Sequence, residues 1–356
     1  MKGHPSFRKR FPMMKEIFLI FIVFSTTTFA DTPDWSYNYG EYIEVDHILK
    51  NMPPARPSGI PYTSAVAKYG KAVVKEGEIK VWLKKKPWSS WWYPNYEDRL
   101  FTDSDEGEYS TLKRYDRYTK LTRTSSGSSR QFEEENIYNA HSAKWAGLCH
   151  AWAIASIMED EPIAAVTKRG IKFRVEDLKA LLIKTYEKSF PGKEYTFGQR
   201  NNGRFGDVYE DLYPEQLHTI LNAELLEKKQ PFIMDFDAGY QVWNVPVFGA
   251  RVRIKKDLDN LNVVHVSLLL RTASPFVKPN YVGTNYDDRF YYYDLFGNWD
   301  GDKFIVDYGV WTKGNISDSR REHPDFIAVK PDSSVRKSRN EHIDVKIVDK
   351  ILEGSR

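Results

Sequence analysis

An α+β fold is predicted for this chain, with helices gathered in its middle and antiparallel strands after them. One change of period and one turn point to it. Residues 149–229 repeat apolar side chains at helical spacing, and from Phe232 onward the spacing switches to two. Asp300-Gly301 in NWDGD then marks a hairpin between two alternating runs. Helices and strands segregated along a chain pack as separate layers.

The chain opens with an export pattern. Lys2, Arg8, Arg10 and Lys15 precede the apolar run IFLIFIVF at 17–24, and STTTFA and Asp31 follow. A basic segment, a short apolar core and small residues predict a signal peptide over 1–30, cleaved after Ala30. The run is too short to span a bilayer, which takes about 20 residues. The expectation is a secreted or periplasmic protein with no membrane attachment after cleavage. Residues 31–125 form an N-terminal region, separate or part of the domain that follows. KNMPPARPSGIPYT (50–63) is a Pro/Gly-rich loop, and KAVVKEGEIKVWL (71–83) reads as one or two short strands. KKKPWSSWWYPNYEDR brings together Trp88, Trp91 and Trp92, either as a contact for a carbohydrate or protein or as a cover over a neighbouring sheet. RTSSGSSRQ (123–131) has the composition of a flexible linker.

The main domain is expected over 126–330. A helix runs from Cys149 to about Asp160. A second, 175–190, puts Leu178, Leu181, Leu182 and Tyr186 on one face and stops before Pro191-Gly192. A third, 213–229, carries Leu217, Ile220, Leu221 and Leu225, with Pro214 suited to its first turn. FIMDFD, VWNVPVFGARVRI, VVHVSLLL, RFYYYDLF and DKFIVDYGVW follow as strands. Residues 331–356 are charged and thinly apolar, and are expected to form a mobile tail.

The net charge of +3 is too small to argue for nucleic acid or an anionic membrane as partner. The chain shows no P-loop, dinucleotide fingerprint or zinc spacing. Asp294, Asp300, Asp302 and Asp307 offer oxygen ligands that make calcium the one cofactor in question. Their spacing matches no EF-hand loop, and an ordinary hairpin turn explains them as well.

Cys149 is the chain's single cysteine, so no internal disulfide can engage it. In WAGLCHAWAIASI it opens a helix, at the positive end of the helix dipole, which favours a thiolate. The free N–H groups of a first turn also serve as oxyanion donors. Small residues around it, Gly147 among them, let the helix start approach another backbone closely. A thiolate nucleophile needs a base and a group that orients the base. In VVHVSLLL, His265 points away from the face of Val264, Val266, Leu268 and Leu270, and Asp294 ends the next strand. A cysteine helix packed on a sheet that offers a histidine and an aspartate is the geometry of papain-like and transglutaminase-like cores. His323, in HPDF, is the second candidate base. His150 projects about 100° around the helix from Cys149, and His218 lies on an apolar helix side.

Two stretches carry a family likeness. WAGLCHAWAIAS resembles the nucleophile segment of the oomycete transglutaminase elicitors and their bacterial relatives. VWNVPVFGARV (242–252) resembles the surface peptide of those elicitors that plants recognise, through Val242, Trp243, Asn244, Pro246 and Val247, and departs from it at Val245, Phe248 and Ala250. The likeness covers roughly residues 140–330. It implies a protein-glutamine γ-glutamyltransferase on a papain-like core. Its partners would be protein substrates, a glutamine donor and a lysine or other amine acceptor. Cys149 carries over directly as nucleophile, while His265 and Asp294 rest on the strand argument. Trp145, Trp152, Trp243, Asn244 and Pro246 are expected to contact substrate. Pro246 within a strand would mark an edge or a bulge. A cysteine endopeptidase on the same core and a secreted, non-catalytic recognition protein are the alternatives.

Overall fold

A computed structural model describes residues 64–199, 212–331 and 335–356. Helices and an antiparallel sheet form its two layers. The chain enters through α1 (Ser64–Tyr69), β1 (Val73–Val74) and β2 (Gly77–Trp82). The Trp-rich loop then leads to α2 (Thr111–Thr122) and α3 (Ser129–Asn136). Next come α4 (Cys149–Met158), the small hairpin β3 (Val166–Lys168) and β4 (Ile171–Phe173), and α5 (Val175–Lys184). After β5 (Thr196–Gly198) and α6 (Pro214–Ile220), which continues as a π-helix over Leu221–Glu227, the strands take over. They are β6 (Phe232–Asp235), β7 (Asn244–Lys256), β8 (Val263–Ala273), β9 (Tyr286–Asp300), β10 (Lys303–Trp311) and β11 (Phe326–Ala328), and α7 (Val345–Leu352) closes the chain.

The main sheet runs β1-β10-β9-β8-β7-β6-β11-β5, with β2 on β7 beyond the end of β6. Alternation builds its middle. Along β7 and β8, Val252, Ile254, Val264, Val266, Leu268 and Leu270 are buried, while Arg251, Arg253, Lys255, His265 and Ser267 are exposed. The β9–β10 turn is the one Asp300-Gly301 signals: Asp300 pairs with Lys303, and Gly301 takes a φ of 60° that a side chain would strain.

The helical layer packs on this sheet through α4, whose Ala151, Trp152, Ala153, Ile154 and Ala155 are all fully buried. α5 lies beside it with Leu178, Leu181 and Leu182 inward; each such leucine contributes about 1.5–3 kcal/mol of burial. Asp177 caps α5 by accepting the Arg174 backbone N–H at 2.8 Å. The helix closes at Lys184, before the expected end at residue 190, because Thr185 N–H tightens onto Leu182 carbonyl oxygen.

Two expectations are corrected, and of the two offered for Pro246 one is left. The 123–131 stretch is a fixed connection between α2 and α3. Asp116 accepts hydrogen bonds from the Ser128 hydroxyl and from both the N–H and hydroxyl of Ser129. The C-terminal segment is not a mobile tail. Asp344 caps α7, and Val348, Ile351 and Leu352 are buried. Asn340 is fully buried and donates to Glu133 and to Ser129 carbonyl oxygen, and Glu133 shares the buried Lys184 ammonium with Glu187. Pro246 lies on an interior strand between β6 and β8, one residue before the register shift at Val247–Gly249. The bulge, not an edge, accommodates it. The signal-peptide segment 1–30 and the 50–63 loop lie outside the described residues.

Candidate functional site around Cys149

Cys149 is the first residue of α4, and nothing caps that helix end with a side chain. Its approach is set by Gly147, where a Cβ would meet the carbonyl oxygens of Trp92 and Tyr93 at 2.8 Å. The Leu148 N–H donates to the same Trp92 oxygen at 2.6 Å. The Trp-rich loop is thereby laid across the start of α4. Trp92 and Trp243 bury the thiol between them, and Trp91, Trp145, Phe236 and Phe276 pack around the group as a half-buried rim. The rings meet edge to face, with centroids 5.4 Å apart for Trp92–Trp243 and 5.1 Å for Trp243–Phe276.

The strand layer supplies the polar contacts. The thiol donates to the Val242 carbonyl oxygen at 3.5 Å, and the Asn244 side-chain nitrogen stands 3.9 Å from the sulfur. Asp235, at the end of β6 and fully buried, accepts the Trp243 N–H at 2.8 Å and fixes the β6–β7 connection over the site. Burial pushes the Cys149 thiol up to about 11, and the negative charge of Asp235 adds to the rise. Hydrogen bonds from Asn244 and from the His150 backbone N–H pull the other way and do not overcome burial. The resting cysteine is a protonated thiol, not the thiolate expected from its place on the helix.

The expected base is elsewhere. His265 and Asp294 do face each other across β8 and β9, with Nδ1 2.8 Å from Oδ1. But His265 pairs with Lys255, eleven residues further along β7 than Asn244. That is roughly 35 Å of extended strand. The Nε2 of His265 is held by Asp257 at 3.1 Å, and the residue is half exposed on the outer face of the sheet. Neither His265 nor Asp294 reaches the sulfur.

Among the described residues no histidine ring makes a hydrogen bond to Cys149. His150 turns away, with Nε2 3.1 Å from the Glu187 carbonyl oxygen. His218 bonds the Tyr293 hydroxyl at 2.7 Å, and burial lowers it to about 4. His323 stacks on Trp311 and donates from Nδ1 to Ser319 carbonyl oxygen at 3.0 Å. It lies three residues before Phe326, which pairs with Asp235, so the sheet brings its stretch of chain to the Cys149 end.

Of the residues expected to contact substrate, Trp243 and Asn244 stand at the thiol and Trp145 at its rim. Trp152 does not: it is fully buried and donates from Nε1 to Trp88 carbonyl oxygen at 2.9 Å, in the main core. Pro246 is buried opposite Ile233 of β6 and is not part of the cluster packed on the thiol. The stretch Val242–Ala250 as a whole is interior, so the likeness to a surface peptide does not extend to its exposure here. Asp235, Trp92, Phe236 and Phe276 were not expected. An acid ending the otherwise apolar strand FIMD was the available signal for Asp235.

Of the four aspartates weighed as calcium ligands, Asp302 pairs with Lys75, Asp307 with Lys71 and Asp294 with His265. Among the described residues, no three His, Cys, Asp or Glu side chains are grouped to hold a metal ion, and no helix is long and apolar enough to cross a membrane.

Comparison with known proteins adds two findings. Residues 122–276, which hold both Cys149 and the β6–β7 residues around it, match the family model described as Transglutaminase elicitor. The fold is similar to the crystal structure of the GP42 transglutaminase from Phytophthora sojae, with a TM-score of 0.62 and 20% sequence identity, over 82% of this chain and 96% of that one. No curated protein matches the chain. Residues 122–276 therefore form a domain of the transglutaminase-elicitor family, on the α+β core that family likeness implied.

Proposed function

We propose that the chain is a protein-glutamine γ-glutamyltransferase whose nucleophile is Cys149. The observation that carries this reading is the placement of the thiol within the family domain. It opens α4 with the His150 N–H directed to its sulfur and the Asn244 amide beside it. In the reaction, the sulfur of Cys149 attacks the γ-carboxamide carbon of a protein glutamine. The oxyanion is held by first-turn N–H groups of α4. The C–N bond breaks and ammonia leaves with the proton given up by the thiol. A lysine amine then attacks the thioester, the C–S bond breaks, and the products are an isopeptide and the free thiol. Water in place of the amine gives deamidation.

The resting thiol must lose its proton as substrate arrives, and His323 is the histidine we assign to that step. The likeness to an elicitor transglutaminase favours this chemistry over backbone cleavage on the same core. Export through the leader over residues 1–30 would bring the enzyme to protein substrates outside the cytoplasm.

The test is incorporation of a fluorescent primary amine into casein, with and without calcium, by the protein and by its Cys149→Ala and His323→Ala variants. Incorporation lost in Cys149→Ala is the expected result. Casein fragmentation without incorporation would replace the transferase by a peptidase, and neither signal would leave a non-catalytic recognition protein.

A further inference from the structure

The side chain of Asn244 is 4% exposed, yet only half of its amide is used. The nitrogen faces the Cys149 sulfur at 3.9 Å. The oxygen, bonded to the same carbon, is buried and accepts no hydrogen bond. A buried amide oxygen without a donor is costly, and native proteins rarely keep one without a reason. No protein donor bonds to it: the thiol hydrogen bond is directed to the Val242 carbonyl oxygen, and the Trp243 indole N–H to Gln241. The missing donor therefore has to come with a ligand, and that ligand comes within reach of the sulfur.

We propose that Asn244 is the residue that selects a primary carboxamide. Its Oδ1 accepts an N–H of the substrate amide while Nδ2 remains on the sulfur. The inference rests on the acyl-transfer reading of the site and adds to it how glutamine is told from its neighbours. A primary carboxamide offers an electrophilic carbon to the sulfur and an N–H to Oδ1 in one group. A carboxylate offers no N–H and sets its own oxygen against Oδ1. The glutamate made by hydrolysis is thus repelled by the same atom that admits glutamine. A site built to pair with an N–H rejects an analogue that lacks it far more strongly than a hydrophobic pocket rejects a missing methylene.

The test is calorimetric binding to the full chain carrying Cys149→Ala, which cannot turn over. The ligands are carbobenzoxy-glutaminylglycine, its glutamate counterpart and its side-chain N,N-dimethyl amide. The glutamine dipeptide is expected to bind at least about tenfold more tightly than the other two. Adding Asn244→Leu should reduce that preference to within about twofold, with folding checked by near-ultraviolet circular dichroism. Equal binding of the three ligands would overturn the proposal. So would a preference that survives in folded Asn244→Leu. If that variant does not fold, Asn244→Thr replaces it, and the three-ligand comparison in the Asn244 protein already decides. Selective binding without amine incorporation by the unmutated enzyme would remove the acyl-transfer reading and leave Asn244 as a carboxamide reader. Incorporation without selective binding would do the reverse.

Discussion

Lys179 and Glu161 form an ion pair, Nζ to Oε1 at 2.5 Å, that ties together the loop of Trp92 and the 281–285 stretch beside the thiol site. The lysine is fully buried on α5, and its ammonium also donates to the carbonyl oxygens of Ser89 and Tyr281. Glu161 accepts the Gly283 N–H with both oxygens. Ser89 lies three residues before Trp92, and the 281–285 stretch folds back on the loop that carries Phe276. Lys179→Met leaves a carboxylate and two carbonyls without their cation. The expected loss is about 3 kcal/mol in denaturant unfolding. A red shift of tryptophan emission should accompany it in the folded variant, as Trp92 loses its backing.

The Cys149 thiol is expected to be slow toward iodoacetamide at neutral pH, with a rate that climbs through an inflection near pH 11 instead of the ordinary 9.0. The sign follows from burial. The native state holds the proton more tightly than the unfolded chain, so the associated stability is complete below pH 9.0 and is lost as pH rises toward 11. Fast alkylation at pH 7 would show a thiolate and contradict the buried, donating thiol.

His265→Ala separates the surface pair from the thiol site. Its imidazole is held above the usual 6.5, first by the hydrogen bond to Asp294 and then by the charges of Asp294 and Asp257. A raised value means the pairing stabilises the fold fully below pH 6.5 and fades as pH rises through the folded value. The melting temperature of the wild type should therefore fall more between pH 6 and pH 9 than that of His265→Ala. Because the pair is half exposed, the difference will be small. Cysteine alkylation and amine transfer should be the same in both, since roughly 35 Å of strand lies between this pair and Asn244.

Gly147→Ala tests the close approach at the start of α4. The added carbon would sit 2.8 Å from the backbone oxygens of Trp92 and Tyr93 and 2.9 Å from the Pro94 Cα, none of which is a flexible side-chain end. About 1–3 kcal/mol of destabilisation is expected. Cys149 should also alkylate faster, as the Trp92 wall is pushed off the helix. An unchanged alkylation rate would mean that the wall does not seal the thiol.

The sequence made the local chemistry legible and the long-range register illegible. Gly147 two residues ahead of a cysteine announces a tight approach, and the structure shows the backbone it approaches. Alternation in VVHVSLLL and RFYYYDLF puts His265 and Asp294 on one face, and they do meet. What alternation cannot carry is which end of a 13-residue strand lies over the helix. That depends on the β6–β7 connection, held by Asp235, which places Asn244 and not Lys255 at the thiol. Trp152 shows the same limit on a helix. Its spacing from Cys149 fits a shared face, but the hydrogen bond to Trp88 takes it into the core. The C-terminal segment hides its packing for another reason. Its short apolar set, Val348, Ile351 and Leu352, is too sparse to signal a packed helix. The buried Asn340–Glu133 contact that anchors it joins residues 207 apart.

The raised thiol bears on how long the protein keeps its chemistry. A thiol pushed up to about 11 by burial stays protonated at neutral pH. Peroxide oxidises the thiolate, and sulfinic and sulfonic acids are dead ends for a cysteine. With its one sulfhydryl protonated and covered by indole rings, the chain is expected to resist irreversible oxidation by peroxide. The same cover that slows alkylation of the thiol would preserve it from oxidation.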